Sequence, residues 1–174
     1  MSVPAPSPAP SRPPALRRLR APRRADALVR AQGLALAGLA WPGRARWRLP
    51  RPVLAGAVAA LGAGGALAAS GGAVLGRDLT PFVDPRPGAE LRTHSAYRFT
   101  RHPLYLGMLM AGGGAAVLRR RPEPLVGLAV LSGVLHVKAS VEERRLADRF
   151  GPAWAAYACR TPRLVGMRRR GGRR

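Results

Sequence analysis

The run from Pro52 to Gly76, which holds no charged side chain, constrains this chain more than any other feature. A helix rises about 1.5 Å per residue, so a run of this length crosses a hydrocarbon core roughly 30 Å thick. Ala and Gly dominate it, leaving Leu54, Val58, Leu61, Leu67, Val74 and Leu75 to drive insertion. The same small residues let a neighbouring helix backbone come close, as packing within a bilayer favours.

Two further apolar segments, Pro103 to Leu118 and Pro124 to Val137, are separated by Arg119, Arg120, Arg121, Pro122 and Glu123 and read as a helical hairpin with a tight polar turn. Each is short for a span and also suits a buried soluble helix; the uncharged neighbour at 52–76 favours the membrane. Residues 25–41 form a helix interrupted by Arg30 and Gln32, either a first span or an amphipathic helix at the surface. The expected fold is therefore all-α, an integral membrane helical bundle of three to four transmembrane helices. A single membrane domain over 25–165 lies between a disordered, Pro-rich basic tail at 1–24 and a basic tail at 166–174.

The formal charge of +22, from 30 Lys plus Arg against 8 acids, would ordinarily raise nucleic acid as a partner. The arginines instead cluster in the tails and beside the apolar segments, a distribution that membrane flanking explains better than a phosphate-binding groove. Arginine inflation from biased codon usage accounts for much of the tail charge. If the loop 77–102 and both tails share a side, that side is the more basic and is cytoplasmic by the positive-inside rule. Arg44, Arg46, Arg48, Arg51 and Arg119 to Arg121 then lie opposite. The single cysteine, Cys159, excludes an internal disulfide and a multi-cysteine zinc site. Arg17, Arg18, Arg20, Arg23 and Arg24 precede an apolar stretch without a small-residue cleavage site, so no signal peptide is expected.

Polar chemistry collects where the apolar segments end. Pro103 fits the first position of a helix, which places His102 at its entrance beside free backbone N–H groups suited to a carboxylate. Arg98 and Arg101 add anion-binding capacity there, or else only anchor the helix at the lipid interface. Gly107, Ala111 and Ala115 form a small-residue stripe for helix packing. Tyr97 and Tyr105 offer rings or hydroxyls to a cation, as interfacial tyrosines often can. Glu142 and Glu143, expected directly after the last apolar helix, can hold a sulfonium or ammonium charge, or form an ordinary solvated helix end paired with Lys138. Phe150, Gly151, Trp154 and Tyr157 read as a helix stop and an aromatic surface folding back over the membrane face.

YRFTRHPLYLG, followed by VEERRLADRFGPAWAAYACRTPRLV, resembles the isoprenylcysteine carboxyl methyltransferase family and its bacterial phospholipid methyltransferase relatives. The resemblance covers roughly residues 76 to 165. It implies an integral membrane enzyme binding S-adenosylmethionine in a cytoplasmic pocket, closed by the loop before the His-Pro helix and by the C-terminal segment. It further implies that Glu90, Leu91, Arg92 and Tyr97 contact the cofactor, that His102, Pro103, Leu104 and Tyr105 form the entrance beside it, and that Glu142 holds it. Lys138 takes the place of an arginine that handles substrate, and Arg101 stands with it as a candidate catalytic residue. Ser95 and Ala96 depart from the family's Gly-Pro, Lys138 from its Arg, and Gly166 from its terminal proline.

Methyl transfer from a sulfonium demands mainly alignment and exclusion of water. A carboxylate acceptor needs no base, whereas an ammonium must first lose a proton; no residue is compelling as that base, His102 being the candidate within the motif, His94 lying in the preceding loop and His136 packing or snorkelling at a helix end. The expected function is S-adenosylmethionine-dependent methyl transfer to a lipophilic acceptor drawn from the bilayer: an isoprenoid thioether acid, a phospholipid amine or a small hydrophobic thiol. A membrane reductase of the sterol-reductase type, using a nicotinamide cofactor, is the rival enzyme, although no glycine-rich dinucleotide loop is evident. A basic protein binding membranes or nucleic acid through its tails is the non-enzymatic alternative.

Overall fold

The computed structural model describes residues 21–76 and 91–165, and every regular element within them is helical. In chain order these are α1 (Ala21–Ala40), α2 (Arg51–Leu75), a 3-10 turn (Ser95–Arg98), α3 (Pro103–Arg119) and α4 (Glu123–Arg160). Pro103 lies in the first turn of α3, as anticipated, and Pro52 likewise in the first turn of α2, where a missing N–H leaves no bond unmade. Gly76 closes α2 at φ 51°, sending its N–H back to the Gly72 carbonyl.

α2 and α3 run antiparallel with their backbones in direct contact. Gly64 faces Gly107 and Ala111, Gly71 faces Pro103 and Leu104, and Gly114 faces Ala57 and Leu61. A Cβ on Gly64, Gly107 or Gly114 would sit closer to the facing backbone than side chains approach. The α3 stripe is thus Gly107, Ala111 and Gly114, not the expected Gly107, Ala111 and Ala115. A four-residue step drifts around a helix of 3.6 residues per turn, so the third contact falls seven residues along. α1 packs on α4 in the same manner, Gly127 seating against Ala35, Gly38 and Leu39. Ala35, Leu39, Tyr105, Ala116, Leu131, Leu135 and Ala139 form the buried apolar cluster that joins these pairs.

Many large apolar side chains point outward. Val53, Val58 and Leu61 on α2, Leu125, Val126, Val130 and Val137 on α4, and Leu34 and Leu36 on α1 are all exposed. Only 11% of the most apolar stretch of α2 is buried. Apolar side chains turned outward over close contacts of small residues suit a protein whose surroundings are lipid, while Leu39, Leu131 and Leu135 fill the core. Among the described residues two helices, α2 and α4, are long and apolar enough to cross a membrane.

α4 corrects one expectation. Its apolar stretch ends near Val137, but the helix continues to Arg160, so Glu142 and Glu143 lie inside it and not beyond its end. The segment KASVEERRLADRF is made largely of strong helix formers and carries the chain onward once the apolar stretch stops. Gly151 adopts φ 49° as a helix stop requires, yet Pro152 starts a further helical stretch directly after it. The stop expected at Gly151 is thus present, as a kink between two helical stretches.

The ends of the bundle differ. One gathers the start of α1, the end of α2, the mouth of α3 and the polar half of α4. At the other, the irregular segment 41–50 lies over the α3–α4 turn, with the Arg46 and Trp47 N–H groups donating to the Arg120 carbonyl at 2.9 and 3.1 Å. Arg121, expected as a flanking charge, is instead buried. It donates to the carbonyls of Trp41 and Pro42, the latter at 3.0 Å.

Candidate functional site

The segment leading into α3 is tied down from three directions. Ser95 opens the 3-10 turn at φ 54°, a left-handed conformation that glycine adopts freely and a serine at a cost of about 1–2 kcal/mol. This is the first position of the Ser95-Ala96 departure, so the glycine preference of the resembled family has a backbone reason here. Tyr97 follows, buried, with its hydroxyl 3.5 Å from the Gly71 carbonyl of α2. The Tyr97 carbonyl accepts a 2.7 Å bond from the Tyr157 hydroxyl, beyond the kink. Thr100 donates to the Arg163 carbonyl at 3.0 Å, and the Arg101 N–H donates to the Pro162 carbonyl at 2.9 Å. The C-terminal stretch thereby locks the loop in front of α3.

This fastening aims His102 at the polar half of α4. Its ring is buried, Nε2 lying 3.1 Å from Glu143 Oε1 and Nδ1 lying 3.5 Å from Glu142 Oε2. Tyr105, one turn into α3, stacks on that ring with planes 2° apart and centres 5.3 Å apart, and its hydroxyl donates to Glu142. Glu143 also meets Arg101 at 3.4 Å and Arg163 at 3.5 Å. Arg163 donates to the Ser140 hydroxyl at 2.6 Å and the His136 carbonyl at 3.3 Å, which fixes the C-terminal stretch along α4.

His102 lies at the boundary, outside the apolar helices. Burial by itself lowers the affinity of its ring for a proton, but hydrogen bonds donated to Glu142 and Glu143 and the negative charge of those carboxylates outweigh burial and raise its pKa above the ordinary 6.5. A ring facing a carboxylate at each nitrogen suits the imidazolium, which donates at both. The arrangement sets His102 as a clasp between two carboxylates, with both ring nitrogens turned toward them.

Lys138 is buried one turn before Glu142, its Nζ donating to Gln32 Oε1 at 2.8 Å and lying 5.7 Å from the Tyr105 ring centre. Tyr97, Arg101, His102, Tyr105, Lys138 and Glu142 are thus brought together at one end of the bundle. Pro103 and Leu104 sit at the same mouth, facing the Gly71 end of the α2–α3 contact. Leu91 and Arg92 are half-buried ahead of the 3-10 turn, and Glu90 lies outside the described residues.

Two partners and one pairing were not legible in the sequence. Gln32 appeared as a flaw in an apolar helix, although a lone amide in such a helix is itself a signal of a buried polar partner. Arg163, in Thr-Pro-Arg after the last helix, gave no local sign of its role. The link between Glu143 and His102 crosses 41 residues of chain.

No family model matches the chain. It is similar to Methanethiol S-methyltransferase 1 of Bradyrhizobium diazoefficiens, with 34% identity over 96 residues, which is 55% of this chain and 30% of that protein, so the chain matches under a third of that relative's length.

Proposed function

We propose that this chain carries out S-adenosylmethionine-dependent methyl transfer to a lipophilic acceptor at the membrane. The observation that carries the reading is the convergence of His102, Tyr105, Glu142 and Glu143 where apolar helices give way to polar chain. The similarity to a methyltransferase acting, by its name, on methanethiol supports the same chemistry. Positive charge beside the start of α1 favours placing this end in the cytoplasm.

The residues present suit such a cofactor. The Glu142 side chain is 23% exposed, so it keeps a face for a cation while Tyr105 and His102 fix its orientation. Arg101 supplies a guanidinium beside it for a carboxylate. When bound, S-adenosylmethionine supplies an electrophilic methyl group, whose carbon–sulfur electrons return to sulfur as the acceptor's lone pair attacks. Loop 97–102 and the stretch 161–163, laced together, exclude water from the reacting atoms.

His102 turns both ring nitrogens toward carboxylates and so presents neither to an acceptor, which favours an acceptor that is already an anion. Lys138, buried beside Tyr105, fits the same requirement by drawing negative charge toward the site. A carboxylate acceptor, ionised without a base, meets both conditions, and a small thiol, which agrees with the name of the relative, meets them once its proton has passed to solvent. A phospholipid amine, which must shed a proton first, meets neither.

Titration calorimetry of the detergent-purified protein tests the proposal. S-adenosylmethionine binds, S-adenosylhomocysteine competes, NADPH does not, and Glu142→Ala weakens binding by tenfold or more. Absence of binding to the intact protein, or competition by NADPH, rejects it. A tail-bound nucleic-acid protein would instead keep its binding after Glu142→Ala and lose it with rising salt.

A further inference from the structure

The end of the bundle opposite the His102 cluster has a built surface of its own. Segment 41–50 forms no helix or strand, yet it is held at four points. The Arg120 carbonyl receives two backbone N–H bonds, at 2.9 and 3.1 Å, and the buried Arg121 guanidinium binds the carbonyls of Trp41 and Pro42. Gly43 leaves room for that guanidinium, where a Cβ would collide with it. A surface loop fastened by a buried arginine presents its outward side chains in a fixed arrangement.

Those side chains are cationic and aromatic. Arg44, Arg48, Arg51 and Arg119 are exposed, together with Arg46. Among the described residues the acid at this end is Glu123, which pairs with Arg46 at 2.7 Å. Trp41 and Trp47 are exposed among them, at 63% and 40%. Tryptophan favours the headgroup level of a bilayer, and guanidinium forks match phosphate oxygens two at a time. The loop also sits at the end of the outward apolar faces of α2 and α4, where headgroups would lie.

We infer that the Trp41–Arg51 loop, with Arg119, is a binding surface for the phosphate headgroup of an anionic phospholipid. The arginines hold the phosphate, the two indoles lie along the acyl-chain boundary, and Arg121 keeps the loop shaped for both. This surface is separate from the proposed methyl-transfer site, so either can fail without the other.

Native mass spectrometry of the detergent-purified full chain tests it, with phosphatidylglycerol and phosphatidylcholine as probes. Phosphatidylglycerol should be retained in preference to phosphatidylcholine, and retention should weaken with salt. Arg44→Gln, Arg48→Gln and Arg51→Gln together should cut retention by roughly tenfold or more, since each cation near an anionic surface contributes about fivefold. Tryptophan quenching by brominated lipids gives a second reading on the unaltered protein, and brominated phosphatidylglycerol should quench more than its choline counterpart. Equal retention or equal quenching by the two lipids overturns the inference, as does unchanged retention in the triple variant. Displacement of phosphatidylglycerol by millimolar inorganic phosphate also overturns it, by assigning the surface to free phosphate.

Discussion

The α2–α3 contact and the His102 cluster share α3, yet they are held together by opposite means. Along the contact, Gly64, Gly71, Gly107 and Gly114 contribute almost nothing but backbone, and close approach is the whole interaction. One turn away, His102, Tyr105, Glu142 and Glu143 meet through ion pairs and hydrogen bonds between side chains. Dispersion at short range tolerates no added atom, whereas a charged cluster tolerates change in shape and suffers from loss of a partner. The contact should therefore fail by addition and the cluster by subtraction.

Addition at the contact carries the largest expected effect. Gly107→Leu drives a side chain into the backbone of α2 at Gly64 and Ala68, where neither neighbour is a flexible tip that can give way. A loss of about 3 kcal/mol or more is expected, read as a large fall in thermal midpoint in detergent. Gly62→Ala, on the outer face of α2 with open space around it, should instead gain up to about 1 kcal/mol from helix propensity. Equal behaviour of the two variants would remove the distinction on which the comparison stands.

Subtraction at the cluster should show itself through pH. The His102 pKa is raised in the folded protein, so the stabilisation it supplies is fully present below its ordinary value near 6.5 and is lost as pH rises through the higher folded value. Thermal midpoints of the native protein and His102→Asn should therefore differ most on the acidic side and converge as pH rises above that range. A gap that stays constant with pH would mean that His102 contributes by shape alone, and the cluster would then resemble the glycine contact after all.

The same contrast governs what the amino-acid sequence discloses. The contact was legible because small residues recur within single apolar runs, and Pro103 announced the start of α3 beside it. Only the third position of the stripe was misplaced, since periodicity fixes a face more loosely than backbone contact does. Of the cluster, His102, Tyr105 and Glu142 were readable as motif residues, but Gln32 and Arg163 were not. Their significance depends on partners 106 and 20 or more positions away, as the Gln32–Lys138 and Arg163–Glu143 pairs demonstrate. The continuation of α4 past Val137 was hidden because a change from apolar to charged sequence marks the edge of lipid, and not the end of a helix. A helix that leaves the membrane keeps its backbone bonds and merely changes solvent.

The smallest expected effect lies between the two regions, where Tyr157 reaches back to Tyr97. Tyr157→Phe removes one hydroxyl whose partner is the buried Tyr97 carbonyl, at 2.7 Å, while leaving the ring against Trp154. A loss of about 1 kcal/mol in stability is expected, because one hydrogen bond goes and the carbonyl is left without it. That bond also ties the stretch after the Gly151 kink to the loop that aims His102. If the tie positions the cluster, Tyr157→Phe should weaken S-adenosylmethionine binding by more than its modest stability loss alone would account for. Binding unchanged in this variant would show that Thr100, Arg101 and Arg163 hold the loop without help, and that the segment after the kink is a cover rather than part of the frame.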